Sequence, residues 1–125
     1  MFAYEIPNLR FSLPAGGAVA LHRFVSVSSE KAIQAGASSE VIGASMNEVT
    51  TAENTAGGHI VEIADGIVVV EAGAAVTAGA AVASDANGKA ITFVATGGSG
   101  VATGPKAGVA ITAATADGQL IAVKI

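Results

Sequence analysis

The serine residues are the first candidates for chemistry, and none lies in the sequence context that nucleophilic catalysis needs. A hydrolase serine sits in the pattern Gly-x-Ser-x-Gly, whose tight turn exposes the hydroxyl group. Segment 43–47 begins as Gly-Ala-Ser but has Asn47 in place of the second glycine, and beside Ser99 the pattern fails at Val101. The glycine-rich segment 97–100 also lacks the Gly-Lys-Ser/Thr ending of a phosphate-binding loop. We expect 97–100 to be a flexible loop.

Metal-ligating residues are equally sparse. His22 and His59 stand alone, without a second histidine at a ligand spacing, and the chain has no cysteine. The segment that starts at Asp85 contains Asn87 and Gly88 but lacks the further carboxylates of a calcium loop. The sequence therefore predicts a turn at this segment and no metal site.

Acidic and basic side chains do not form a recognisable catalytic set. Glu62 and Asp65 are close in sequence, but paired acid and base catalysis needs a pocket and groups that position a substrate. Arg10 and Arg23 are expected to form ion pairs at the surface or at an interface. We therefore predict a non-catalytic protein with no catalytic, cofactor-binding or metal-binding residues.

The composition limits the classes of function open to this chain. Its 125 residues fit one domain, and 51% of them are hydrophobic, with alanine and valine in excess. The net charge of −4 arises without a run of lysine or arginine, which argues against direct nucleic-acid binding. No apolar stretch approaches the roughly 20 residues of a membrane-spanning helix, so no membrane partner is expected.

Short β-branched runs bounded by turn residues predict an all-β fold. Alanine favours helices, but glycine, Asn-Gly or Asp-Gly interrupts the chain every few residues from Gly57 onward. We expect one turn at Asp65-Gly66 and a tight hairpin at Asn87-Gly88. The predicted fold is a small single-domain β-barrel or β-sandwich with an extended N-terminal arm. Its expected strands include 60–63, 67–70, 90–94 and 120–125.

Residues 1–13 are expected to form an N-terminal arm that continues into the first strand, and residues 14–125 the single β-domain. Apolar residues alternate in 1–6, a Pro-Asn pair interrupts them, and 9–13 alternates again before a Pro-Ala-Gly-Gly turn. We interpret 9–13 as a strand and 1–6 as an arm that docks on a partner by strand addition or by filling a pocket. The candidate partner-interface residues are Phe2, Tyr4, Ile6 and Phe11.

A weak internal repeat suggests two related β-units within the β-domain. Segment 24–33 resembles 82–91, segment 41–44 resembles 106–110, and segment 58–63 resembles 118–125. Each copy is expected to contain a hairpin, a strand with a glycine, an Ala/Thr-rich connection and a closing strand. The spacings differ between copies, so chance similarity in a chain rich in alanine, glycine and valine is the alternative.

The chain from Phe24 to its C-terminus resembles the capsid decoration, or cement, proteins of tailed bacteriophages. The similarity lies in 66–73, in 76–90 with its Asp-Ala-Asn-Gly turn, and in 107–118 before the closing strand. It implies a tulip-like β-barrel on the outer surface of the expanded phage head, made in the host cytoplasm. It also implies a homotrimer, in some members a dimer, that clamps neighbouring subunits of the major capsid protein.

These observations together predict a structural virion protein that stabilises the phage head. Its expected partners are the major capsid protein and further copies of itself, with no cofactor. The alternative is a non-catalytic binding module of a tail fibre or adhesin, a role that many β-sandwiches have.

Overall fold

The computed structural model describes residues 3–96 and 101–125, and in this part of the chain nine strands form one antiparallel sheet. The order across the sheet is β3-β2-β4-β5-β9-β8-β6-β7, and β1 pairs with β5 outside this path. The sheet curls into a half-barrel, which confirms the all-β prediction. The elements are β1 (Ile6–Pro14), β2 (Phe24–Ser28), β3 (Lys31–Gln34), β4 (Gly43–Ser45), α1 (Thr51–Ala56), β5 (Ile60–Glu71), β6 (Ala81–Ser84), β7 (Ala90–Thr92), β8 (Lys106–Ala110) and β9 (Leu120–Lys124).

Strand β5 runs without a break through the expected turn at Asp65-Gly66, so that prediction was wrong. Gly66 has a φ of +112°, and a Cβ at this position would lie 2.5 Å from the amide nitrogen of Asn8. The register of β1 against β5 shifts at Asn8. The glycine therefore allows the close approach of a β-bulge, and the strand continues to Glu71.

The predicted hairpin at Asn87-Gly88 is present between β6 and β7. Gly88 has a φ of +74°, as a tight turn requires. Oδ1 of Asp85 accepts hydrogen bonds from the amides of Asn87 at 2.8 Å and Lys89 at 2.9 Å. The side chain of Asp85 thus orders the turn.

The pairing pattern around β1–β5 recurs around β5–β9. Four isolated bridges form two matching pairs: Ala15 with Ala32 and Ala72 with Ala90 are parallel, while Val19 with Val49 and Val76 with Ala114 are antiparallel. We name residues 9–65 the first unit and residues 66–125 the second unit. The halves of β5 belong to different units, and each half pairs antiparallel with another strand, β1 in the first unit and β9 in the second.

Two clusters of buried side chains lie on opposite faces of β5, because successive strand side chains alternate in direction. Val61 and Ile63 belong to the cluster of the first unit. Val68 and Val70 belong to the larger cluster, which fills the second unit. That larger cluster also contains four residues of the first unit, Phe24, Ala35, Ala44 and Ala64. The first unit therefore closes one side of the core of the second.

Candidate interaction surface

The groups that could do chemistry serve structural contacts in the described part of the chain. No three His, Cys, Asp or Glu side chains come close enough to hold a metal ion within residues 3–96 and 101–125. Nδ1 of His59 lies 3.6 Å from Oε2 of Glu53 at an exposed position. The buried hydroxyl of Ser45 donates to the carbonyl of Ala20 at 2.6 Å. The predicted loop around Ser99 lies outside the described residues.

No helix in the described ranges is long and apolar enough to cross a membrane.

Strand β1 has an open edge. The amide of Ala15 donates to the carbonyl of His59 at 3.0 Å, which fixes the alternation of main-chain groups along β1. The main-chain groups of Phe11 and Leu13 therefore point towards β5, and those of Arg10 and Ser12 point away from it. In the described residues no strand pairs with the outer edge of Ile6–Pro14, and the bridge of Ala15 to Ala32 of β3 begins directly after it. An edge of this kind is able to accept an added strand from a partner.

The side chains of β1 change from exposed to partly buried along its length. Ile6 is 61% exposed and Leu9 is 54% exposed, and the two flank the bulge. Phe11 and Leu13 are half-buried and pack against the cluster of the first unit. Large aliphatic side chains at an open strand edge are typical of a contact surface.

The four predicted interface residues differ in location and in burial. Phe2 lies outside the described residues, and Tyr4 is half-buried just before β1. Ile6 is the first residue of β1 and pairs with Ile67, so it belongs to the sheet. Phe11 lies within β1 with its ring partly in the core. Their role in binding stays a prediction, and Leu9 is an exposed neighbour that the sequence analysis did not select.

A shallow groove of about 140 Å³ lies beside β1. The groove lies over the pairing of β1 with β5 and does not lie at the open edge. Its lining residues are Arg10, Phe11, Ser12, Met46, Glu62 and Ile63.

A network of charged side chains connects the two units, and sequence analysis did not find it. Nζ of Lys89 lies 2.8 Å from Oε2 of Glu71 and 3.0 Å from Oδ1 of Asp117. Nη2 of Arg23 lies 3.5 Å from the same Glu71 oxygen, and its Nη1 donates to the carbonyl of Asn87 at 3.0 Å. Arg23 comes from the first unit and its partners from the second. The network therefore connects the two units through ion pairs.

Comparison with known proteins finds one matching family and a solved structure with a similar fold. Residues 5–125 match the phage cement protein family. A solved structure with a similar fold is the head fibre gp8.5 N base of bacteriophage phi29, with a TM-score of 0.69 and 17% sequence identity. That similarity covers 94% of this chain and 92% of the phi29 chain, and at this identity it shows the fold alone. No curated protein sequence matches the chain at a significant level.

Proposed function

The chain belongs to the phage cement protein family, and from this premise we propose that it stabilises the expanded phage capsid from its outer surface by clamping neighbouring major capsid subunits. It acts as a structural component of the virion and catalyses no reaction. The residues proposed to contact the capsid are Phe2, Tyr4 and Ile6, together with Leu9 and the open edge of β1.

The observation that carries this proposal is the combination of an open strand edge with exposed aliphatic side chains on β1. The outward main-chain groups of Arg10 and Ser12 provide hydrogen bonds for strand addition. Ile6 and Leu9 provide apolar area at the same edge. Fully burying one such side chain contributes about 1.5–3 kcal/mol.

Self-association strengthens a contact of this size. We propose that the protein acts as a homo-oligomer, a trimer in preference to a dimer, so that one assembly contacts several capsid subunits. After the first contact the others form at a high effective concentration, which raises the overall affinity without any new kind of interaction. Modest single contacts are therefore sufficient for a stable clamp.

Co-sedimentation with heads of the phage that encodes this chain tests the proposal. Purified protein should saturate expanded heads at a fixed stoichiometry and bind unexpanded heads weakly. Leu9→Asp should lower the amount bound, whereas Val101→Asp, at a position that is 90% exposed and lies outside β1, should bind as the wild type does. Absence of binding to expanded heads would refute the proposal.

A further inference from the structure

Equivalent positions in the two units differ in burial. Leu13 pairs with Val61 in the first unit as Val70 pairs with Ile121 in the second. By the same register, Phe11 corresponds to Val68 and Ala15 to Ala72. The three positions in the second unit are at most 1% exposed. The three in the first unit, Phe11, Leu13 and Ala15, are only half-buried, and we name them the β1 row.

The reason for the difference is that the first unit covers the second. Phe24 and Ala44 of the first unit pack into the cluster that contains Val68 and Val70. Main-chain hydrogen bonds accompany this packing: the amide of Phe24 donates to the carbonyl of Gly88 at 2.8 Å, and that of Glu71 to the carbonyl of His22 at 2.9 Å. Nothing comparable covers the β1 row in the described residues.

The second unit has its own copy of the covering surface, and within residues 3–96 and 101–125 this copy belongs to neither core cluster. The amide of Ala35 donates to the carbonyl of Phe24, and the amide of Phe93 donates in the same way to the carbonyl of Ala81. Phe24 pairs with Ala44 as Ala81 pairs with Val109. Ala81, Phe93 and Val109 are half-buried and belong to neither core cluster. We name these three residues the terminal face.

We propose that the terminal face of one chain packs on the β1 row of a second copy of this chain, repeating between molecules the contact that joins the two units within one molecule. The two surfaces correspond position by position to surfaces that already fit together in the fold. The contact is heterologous, because each copy contributes a different face to it. A series of such contacts closes into a ring when the rotation between copies allows it.

The rims of the two surfaces carry one set of opposite charges, although Arg10 and Lys31 on the β1 side have the same sign as the lysines of the terminal face. Lys106 and Lys124 are exposed beside the terminal face. They occupy positions where the first unit has the apolar residues Val41 and Ala64, which pack inside the molecule. On the β1 side Asp65 pairs with Leu9, next to the β1 row. Opposite charges at a polar rim favour the correct pairing of the two faces.

A mixing experiment with two variants tests the proposal on the full chain. Phe11→Arg blocks the β1 row, and Val109→Arg blocks the terminal face. Sedimentation velocity and native mass spectrometry should find the wild type as an oligomer and each variant as a monomer, with a self-association constant at least tenfold weaker. An equimolar mixture should form a species of two chains, because the intact terminal face of Phe11→Arg can pack on the intact β1 row of Val109→Arg. Leu120→Arg, an exposed substitution outside both faces, should keep the wild-type mass.

Three outcomes would contradict the proposed heterologous contact. A monomeric wild type, a folded variant that keeps the wild-type mass, or a mixture that stays monomeric would each overturn the proposal. Circular dichroism checks the fold of every variant, and Ala15→Arg and Ala81→Arg replace any variant that does not fold. The inference rests on the self-association proposed above, and because the experiment contains no capsid, its failure and the failure of head binding are distinguishable.

Discussion

The ammonium group of Lys89 lies 2.8 Å from the Glu71 carboxylate, which is at the end of β5 where the second unit meets the first. Arg23 approaches the same carboxylate from the loop before β2. All three side chains are less than one quarter exposed, so water screens their charges only in part. One carboxylate thus fixes two cations at the joint between the units.

Replacing Glu71 tests this joint through the pH dependence of stability. The hydrogen bond from Lys89 and the charge of Arg23 lower the pKa of Glu71 below its ordinary value of 4.5, against the opposing effect of burial. A lowered pKa in the folded state means that the contribution to stability is present above pH 4.5 and is lost as the pH falls further. Glu71→Gln should lower the Tm by about 2–6 °C at pH 7 and flatten the decline in acid.

The control for this prediction is Glu48→Gln, which removes the same charge at an exposed position outside the network. Calorimetric scans between neutral and acid pH should show the wild-type decline for this variant. An unchanged decline in Glu71→Gln would contradict the role given to the network.

Gly43 and Gly108 should resist substitution, because each lies against the main chain of a closing strand. A Cβ at Gly43 would lie 2.6 Å from the carbonyl oxygen of Ala64, and one at Gly108 would meet the carbonyl oxygen of Lys124. Gly43→Ala should lower the free energy of unfolding by about 1–3 kcal/mol. Gly17→Ala is the matched control, since a Cβ there meets nothing within 4 Å. Urea unfolding should find only the control close to the wild type.

Phe24 and Phe93 lie on corresponding surfaces of the two units and should respond differently to substitution. Phe24 is fully buried at the contact between the units, and Phe24→Ala should lower the free energy of unfolding by about 3–5 kcal/mol. Phe93 is half-buried on the terminal face, so Phe93→Ala should cost much less stability and instead weaken self-association. Equal losses of unfolding free energy in the two variants would contradict the assignment of the faces.

Turn residues and the alternation of apolar side chains predicted several strands and turns of the fold. The Asn-Gly hairpin and the closing strand β9 lie where they were expected, because turn chemistry and period-2 burial are local signals. The break at Asp65-Gly66 was wrong for a physical reason. A glycine with positive φ serves a turn and a bulge equally well, and only the position of Asn8 on another strand selects the bulge.

The helix and the charged network differ in how much of each could be predicted from the sequence. The helix α1 had a readable signal: the Thr50 hydroxyl accepts from the Glu53 amide, and the Glu53 carboxylate accepts from the Thr50 amide, as in a capping box. The network around Glu71 had none, since Arg23 and Asp117 are far apart in the chain. The alternation in 9–13 assigned Leu9 to the first strand, and only the structure shows that its side chain is 54% exposed.

Removing residues 1–5 should separate binding from folding. These residues precede β1, whose pairing with β5 starts at Ile6. The truncated chain should keep its circular dichroism spectrum and change its Tm by only a few degrees, while its affinity for expanded heads falls at least tenfold. A truncated chain that unfolds would assign the segment to the core rather than to the capsid contact.

The thermal disruption of expanded heads, with and without bound protein, tests the central claim most directly. The wild type should raise the disruption temperature, and so should Ile60→Asp, which introduces the same charge at an exposed isoleucine outside β1. Ile6→Asp should leave the heads close to their undecorated temperature. Heads whose disruption temperature does not change when the wild-type protein is bound would contradict the account.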